Sequence, residues 1–300
     1  MSEDILWVCD EKHKDIFEKF KNEKSIKLKH YNDRPLFIIT HGYGSSFFDL
    51  LNVASRLSNL EFNVEIVILN AHCDNYNLSE MSYRKWSERL TDIYKANQKV
   101  YSEIYLIGFS LGALLSLDLA ENYDVNGVIT VSGYLGLEYS TTVSYLSDLL
   151  LKFKIEKVFR VIQVSEKAKY DVPHLKYLPL ENVKMLEENA NVVKRKISKL
   201  KTKRLHFHSV DDLVASFNEI EKITKKYSEV ARVVTLNHLP HFMQFDVDNK
   251  IMVDMIIKYF GIDDLITSKS FDELEIELIE SLDKGLYIVN ERALDMLRKL

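Results

Sequence analysis

The chain has 300 residues, 46% hydrophobic and 28% charged, with a formal net charge of −5; it is long enough to bury a sizeable core unaided, and its acidity offers no electrostatic basis for nucleic acid or an anionic membrane surface. Two cysteines, Cys9 and Cys73, form neither a metal-binding pair nor a disulfide framework, as suits a reducing compartment or a chain that needs no disulfide. The N-terminus is acidic where a signal peptide would be basic, and no apolar run approaches the length of roughly 18 residues that a membrane span needs, so the expected location is the cytoplasm.

In chain order, "KSIKLKHY" (24–31) reads as an edge strand and "PLFIIT" (35–40) as the first buried strand. Further strands are expected at 62–69, 103–109, 125–131, 204–209 and 231–236. Several are apolar almost throughout, as strands covered on both faces are. Helical patterns fall between them, near 46–60, 82–100, 111–123, 215–228 and 248–260. Strand and helix alternating at this pitch predict an α/β fold with a doubly wound, mostly parallel sheet. The alternation breaks at 134–202, which reads as an inserted helical cap between core segments 1–133 and 203–261. After Gly261 comes a helical extension, 262–300, with Leu274, Leu278, Leu282, Leu286, Val289, Ala293, Leu297 and Leu300 at helical spacing. That apolar stripe either packs on its own domain or makes a homodimer contact.

Four elements could carry chemistry. The first is "GFSLG" (108–112), where a strand ends and a helix opens. A nucleophile held at such a turn, Ser110, needs close approach of strand and helix, which Gly108 and Gly112 allow, and the Leu111 N–H would face a developing oxyanion. The alternative is a serine that merely packs at the junction. Second, "THGYGSS" (40–46) follows the first buried strand. Gly42 and Gly44 can turn the chain there, with the Tyr43 N–H as a second oxyanion donor. His41 has no second ligand at metal spacing, so no metal is expected. Third, "SVDDLV" offers Asp211 and Asp212 as an acid, or as helix caps. Fourth, "LNHLPHFMQFD" offers His238 and His241 as a base. His206 and His208 alternate along a strand and read as structural.

With these elements in this order, the chain resembles the α/β-hydrolase superfamily over roughly residues 34–260, and within it the bacterial carboxylesterases and monoacylglycerol lipases with a small cap. "HGYG" is similar to that group's oxyanion loop, "GFSLG" to its nucleophile elbow, and "MSYRKWSERL" (81–90) to the helix before the elbow strand. "SVDDLV" resembles its Asp-x-x-Val segment, which implies Asp211 as the acid. "PHFMQFD" resembles its His-x-x-x-x-Asp segment, which implies His241 as the base and Asp246 as the trailing acid. The chain departs from the group at His208 and Pro240, where the group often has glycine, and at "KTKRL", where it usually has proline.

The resemblance implies a serine hydrolase that cleaves acyl esters through Ser110, His241 and Asp211, with Tyr43 and Leu111 as oxyanion donors and no cofactor. The basic run "KRKISKLKTKR" (194–204) motivates a second reading, a thioesterase or acyltransferase docking an acidic carrier protein. A third is a non-catalytic binding module on the same fold.

Overall fold

A computed structural model describes residues 7–9, 11–30, 33–73, 80–137, 157–159, 173–262, 269–281 and 291–300. Among them, seven strands form one sheet: β2 (Ser25–Leu28), β3 (Leu36–Thr40), β4 (Asn63–Val67), β5 (Ile104–Phe109), β6 (Gly127–Val131), β10 (Arg204–Ser209) and β11 (Ala231–Leu236). Their order across the sheet is β11-β10-β6-β5-β3-β4-β2. Every neighbouring pair is parallel except β2 with β4, which is antiparallel. All residues of β3, β4, β5, β6 and β10 are buried, as the near-continuous apolar runs require of strands with helices on both faces.

The helices fall where the periodicity puts them. They are α2 (Leu51–Asn59), preceded by a 3₁₀ turn at Phe47–Leu50, α3 (Tyr83–Asn97), α4 (Leu111–Ala120), α6 (Phe217–Lys226) and α7 (Asn249–Phe260). Ser82 caps α3 by accepting from Lys85 N–H, and Asp248 caps α7 in the same way. Gly261 ends α7 in the left-handed conformation, φ 69°. An additional helix, α1 (Glu11–Phe20), buries His13, Ile16, Phe17 and Phe20.

Residues 134–202, expected as a helical cap, add no strand to the main sheet among the described residues. They contribute α5 (Leu180–Lys196), but also β7 (Lys157–Phe159), β8 (His174–Leu175) and β9 (Tyr177–Pro179). β7 pairs with β9, and β8 pairs with β1 (Trp7–Val8) near the N-terminus. Strands of two or three residues carry no readable alternation, so the sequence pattern could not announce them. The rest of "TTVSYLSDLLLKFKIEKVFRVIQ" lies outside the described residues.

The extension carries α8 (Phe271–Ser281) and α9 (Glu291–Lys299). Leu274, Leu278, Ala293, Leu294 and Leu297 are buried in the same core as α1, α2 and α7. Arg298 reaches back to Asp15 at 3.2 Å, and Arg232 holds Asp272 at 2.7 Å and Glu275 at 3.1 Å. The stripe that could have joined two copies is therefore covered by its own chain at these positions; Leu282, Leu286 and Val289 lie outside the described residues, and Leu300 is exposed.

The basic run is mostly engaged within the molecule. Lys194 pairs with Glu219, Lys196 with Asp118 and Glu121, and Lys203 donates to the Tyr259 carbonyl. Arg204 is fully buried and donates to the Leu200 and Thr202 carbonyls. Few of its cations are left to face an acidic partner.

Glu121 gives a pH test of this corner. It sits at the C-terminal end of α4 with its side chain 6% exposed, 3.6 Å from Lys196 Nζ. Burial pushes its carboxyl up to about 7; Lys196 opposes the shift and Asp118 adds to it. A raised folded-state value means the folded chain holds the proton more tightly. That stabilisation is complete below the unfolded value of 4.5 and is lost as pH rises through about 7. Glu121→Gln is therefore expected to leave the thermal midpoint unchanged near pH 4.5 and to raise it near pH 8.5. Equal shifts at both pH values in thermal denaturation would contradict this.

Candidate active site

Ser110 is the one residue between β5 and α4. It has φ 50° and ψ −112°, outside the regions comfortable for a residue with a Cβ, a strain that typically costs about 1–3 kcal/mol. Backbone bonds hold it there: its N–H donates to the Val131 carbonyl at 3.1 Å, and its carbonyl accepts from the N–H groups of Ala113 at 3.0 Å, Tyr134 at 3.2 Å and Leu114 at 3.3 Å. The flanking glycines are sterically required. A Cβ on Gly108 would lie 2.3 Å from the backbone of Gly112 and Ala113, and one on Gly112 would lie 2.1 Å from the Thr40 carbonyl oxygen. Strand β3, the turn and α4 thus meet backbone to backbone.

The sheet order brings the other groups to the same end. β6 lies beside β5, β10 beside β6 and β11 beside β10, all parallel, so the loops after β5, β10 and β11 emerge together. Ser209 Oγ donates to the Leu239 carbonyl at 2.7 Å, tying the loop after β10 to the loop after β11. His241, from the latter loop, places Nε2 2.9 Å from Ser110 Oγ. Its Nδ1 lies 2.7 Å from Asp212 Oδ2. A carboxylate only accepts, so Nδ1 carries the proton. Nε2 of the neutral ring is then free to accept from the serine hydroxyl.

The acid against His241 is Asp212, which corrects the expectation for Asp211. Asp212 is buried, and its Oδ1 accepts from Val214 N–H at 2.8 Å and Ala215 N–H at 2.9 Å. Asp211 is 51% exposed at its side chain and points the other way, accepting from His238 N–H at 2.6 Å. The physical reason is the turn. The two backbone bonds to Asp212 Oδ1 fold its side chain inward over residues 214–215, and its neighbour is left outside. Burial pushes the Asp212 carboxyl up, but the electrostatic attraction of the His241 ring and its hydrogen bond, with His208 and the Ala215 N–H, outweigh it, so it is held below the usual carboxylate value. His238 is 93% exposed at its side chain and far from this role. Asp246 is buried in the turn after His241, whose two ring nitrogens meet Asp212 and Ser110.

Tyr43 and Leu111 line one cavity together with Ser110 and His241. Leu111 opens α4, so its N–H is among those that a helix leaves without an intrahelical acceptor. The Tyr43 loop is fixed by groups that the sequence motifs did not single out. Asp49 accepts from Gly42 N–H at 3.0 Å and from Ser45 Oγ. His72 Nε2 accepts from Gly44 N–H at 2.9 Å, while its Nδ1–H donates to the Asn70 carbonyl at 3.0 Å. His41 is a structural histidine of the same kind, donating from Nδ1 to the Gly42 carbonyl and accepting at Nε2 from Leu69 N–H. His72 stands 31 residues from His41 in the chain, and only the fold makes them neighbours, with ring centroids 5.0 Å apart.

The cavity measures about 110 Å³, and its described walls are apolar: Leu137, Leu178, Val183, Leu186, Val214 and Phe242. Tyr134 also faces it, but its hydroxyl donates to Glu187 on α5, which accepts from Leu137 N–H too. Burial, then the Glu187 charge, pushes this phenol well above its ordinary value, so it stays neutral.

Comparison with solved structures finds the same architecture. The chain is similar to a metagenome-derived lipolytic enzyme of the LipS and LipT pair, with a TM-score of 0.70, 15% identity, and coverage of 80% of this chain and 98% of that one. This chain has the α/β-hydrolase fold. Another solved structure similar to it is the monoacylglycerol lipase of Paleococcus ferrophilus, with a TM-score of 0.60, 12% identity and coverage of 87% and 98%. A thioesterase domain from the curacin biosynthetic pathway also matches, with a TM-score of 0.52, 13% identity and coverage of 75% and 91%. No protein-family model matches the sequence, and no curated protein does. Within this hydrolase fold, no helix among the described residues is long and apolar enough to cross a membrane.

Proposed function

We propose that the chain is a serine hydrolase cleaving carboxylic esters through an acyl-enzyme. The observation that carries the reading is the unbroken relay from Ser110 Oγ to His241 Nε2 at 2.9 Å and from His241 Nδ1 to Asp212 Oδ2 at 2.7 Å, opening on an apolar cavity. Ser110 Oγ attacks the ester carbonyl carbon as its proton passes to His241 Nε2. The carbonyl oxygen becomes an oxyanion, held by the N–H groups of Tyr43 and Leu111. The tetrahedral species collapses, the carbon–oxygen bond to the alcohol breaks, and His241 returns the proton to the leaving alkoxide. Water, deprotonated by the same imidazole, then attacks the acyl-serine and releases the acid. Asp212 holds the tautomer and stabilises the imidazolium that forms in each half.

Each part of the reading rests on a feature of the chain. The Asp212 carboxyl is held below its usual value, which favours the charged form beside the His241 Nδ1–H. The strain at Ser110 holds its hydroxyl above the strand end. The apolar walls favour an uncharged hydrocarbon acyl group. The carrier-protein reading has less support, because Lys194, Lys196, Lys203 and Arg204 are engaged within the molecule.

Turnover of p-nitrophenyl oxoesters against acyl-thioesters of matched chain length tests the bond cleaved. The proposal expects the oxoesters to be hydrolysed with the higher kcat/KM. Thioester turnover exceeding oxoester turnover at every chain length would reverse the assignment.

A further inference from the structure

His208 lies on β10, four residues before Asp212, and its side chain is fully buried. Its Nε2 is 3.1 Å from the Ala215 carbonyl oxygen and 3.5 Å from Asp212 Oδ2. Both neighbours are acceptors, so Nε2 carries a proton. The 3.1 Å contact is a hydrogen bond; the 3.5 Å contact is too long for a good one and acts as an electrostatic contact. Ala215 is the residue whose N–H meets Asp212 Oδ1 at 2.9 Å. It is therefore held at both ends, by His208 through its carbonyl and by Asp212 through its amide, and it also forms an isolated bridge with Leu137 on the cavity wall.

We propose that His208 is a positioning residue for the acid of this site: its Nε2–H fixes the Ala215 peptide against Asp212 Oδ1 and lies beside Asp212 Oδ2, so that the carboxylate presents one oxygen to His241 in a single orientation. The inference rests on the serine-hydrolase reading above. A buried carboxylate with its oxygens divided in this way cannot rotate without breaking two backbone hydrogen bonds. His208 supplies the reason those donors stay in place. The neighbouring His206 serves the sheet instead. Its Nδ1 meets Thr130 Oγ1 at 2.7 Å, and burial, with Arg204 and His208 nearby, lowers its value to about 3, so it stays neutral. In the sequence His208 reads as structural and as a departure from the glycine common in the resembling group; the proposed role gives that departure a use.

Two polar substitutions separate positioning from packing. The amide nitrogen of glutamine reaches the place of Nε2, whereas that of asparagine reaches only the place of Nδ1. His208→Gln is expected to keep kcat within about 3-fold, and His208→Asn to lower kcat by up to about 10²-fold with KM little changed, the scale of effect that misplacing a catalytic group carries. In the same proteins, the far-downfield proton resonance of the His241–Asp212 hydrogen bond should survive in His208→Gln and broaden or move upfield in His208→Asn. Equal kcat and equal resonances in two folded variants would overturn the inference. The resonance needs no substrate, so it tests the positioning role even if wild-type protein hydrolyses no ester, a result that would count against the serine-hydrolase reading instead.

Discussion

Ser110→Ala is expected to lower kcat toward model esters by on the order of 10⁶-fold, with the protein still folded. The size follows from what the substitution removes. Without Oγ no acyl-enzyme forms, and His241 and Asp212 have no nucleophile to serve. The residual rate is what oxyanion donors and binding alone provide. The change deletes one oxygen at a position that is strained for any residue with a Cβ, so the backbone conformation, φ 50°, is no harder for alanine than for serine. A steady-state assay with p-nitrophenyl butyrate reads the effect directly. Survival of more than a few per cent of wild-type activity would remove Ser110 from the mechanism.

The second large effect distinguishes two adjacent residues of the same type. Asp212→Asn is expected to lower kcat by about 10⁴-fold, since an amide at this position can donate to Nδ1 and so favours the wrong imidazole tautomer. Asp211→Asn is expected to change kcat by less than about 5-fold and to cost on the order of 1 kcal/mol of stability, because its half-exposed carboxylate accepts from the His238 N–H at 2.6 Å, whereas Asp212 is the aspartate against the His241 ring. Measuring both variants side by side settles the order. Because Asp212 is held below the ordinary carboxylate value, its protonation should add no acid limb to the wild-type rate profile above about pH 4. A larger loss from Asp211→Asn would reverse the assignment of the acid.

That pair of aspartates marks where the sequence stops being legible. The strands were readable because buried parallel strands are apolar almost throughout: 35–40 and 103–109 differ from the observed β3 and β5 by a single residue at one end. Ser110 was readable because a serine between two glycines at a strand–helix junction has a steric explanation, and Gly112 Cβ against Thr40 O gives it. His241 was preferred through its resemblance to a known segment. Asp211 against Asp212 is a question of one residue of register in a turn. It is decided by which side chain accepts from Val214 and Ala215 N–H, a choice made by tertiary packing and not by residue type. The same limit hid Asp49 and His72. Each is polar and buried, yet each looks ordinary until the loop at 40–46 folds against it. Helix α1 was missed because the charges of "EKHKDIFEKF" mask a narrow apolar face, of which His13 is a member.

Two features of the fold now carry more weight than the motifs alone. One is the shared end of β5, β10 and β11, which turns three distant segments into a single relay. The other is the contact between Glu187 on α5 and Tyr134, whose N–H bonds the Ser110 carbonyl, linking the inserted segment to the backbone of the proposed nucleophile.

The central claim is that Ser110 is an activated nucleophile within the Ser110–His241–Asp212 relay. Reaction of folded protein with a fluorophosphonate, followed by peptide mass spectrometry, tests it most directly, because the reagent requires an activated serine but no knowledge of the natural ester. The expected result is one adduct per chain on the peptide containing Ser110, formed far more slowly in Asp212→Asn and at the wild-type rate in Asp211→Asn. No adduct on folded wild-type protein, or an adduct on a different residue, would contradict the account.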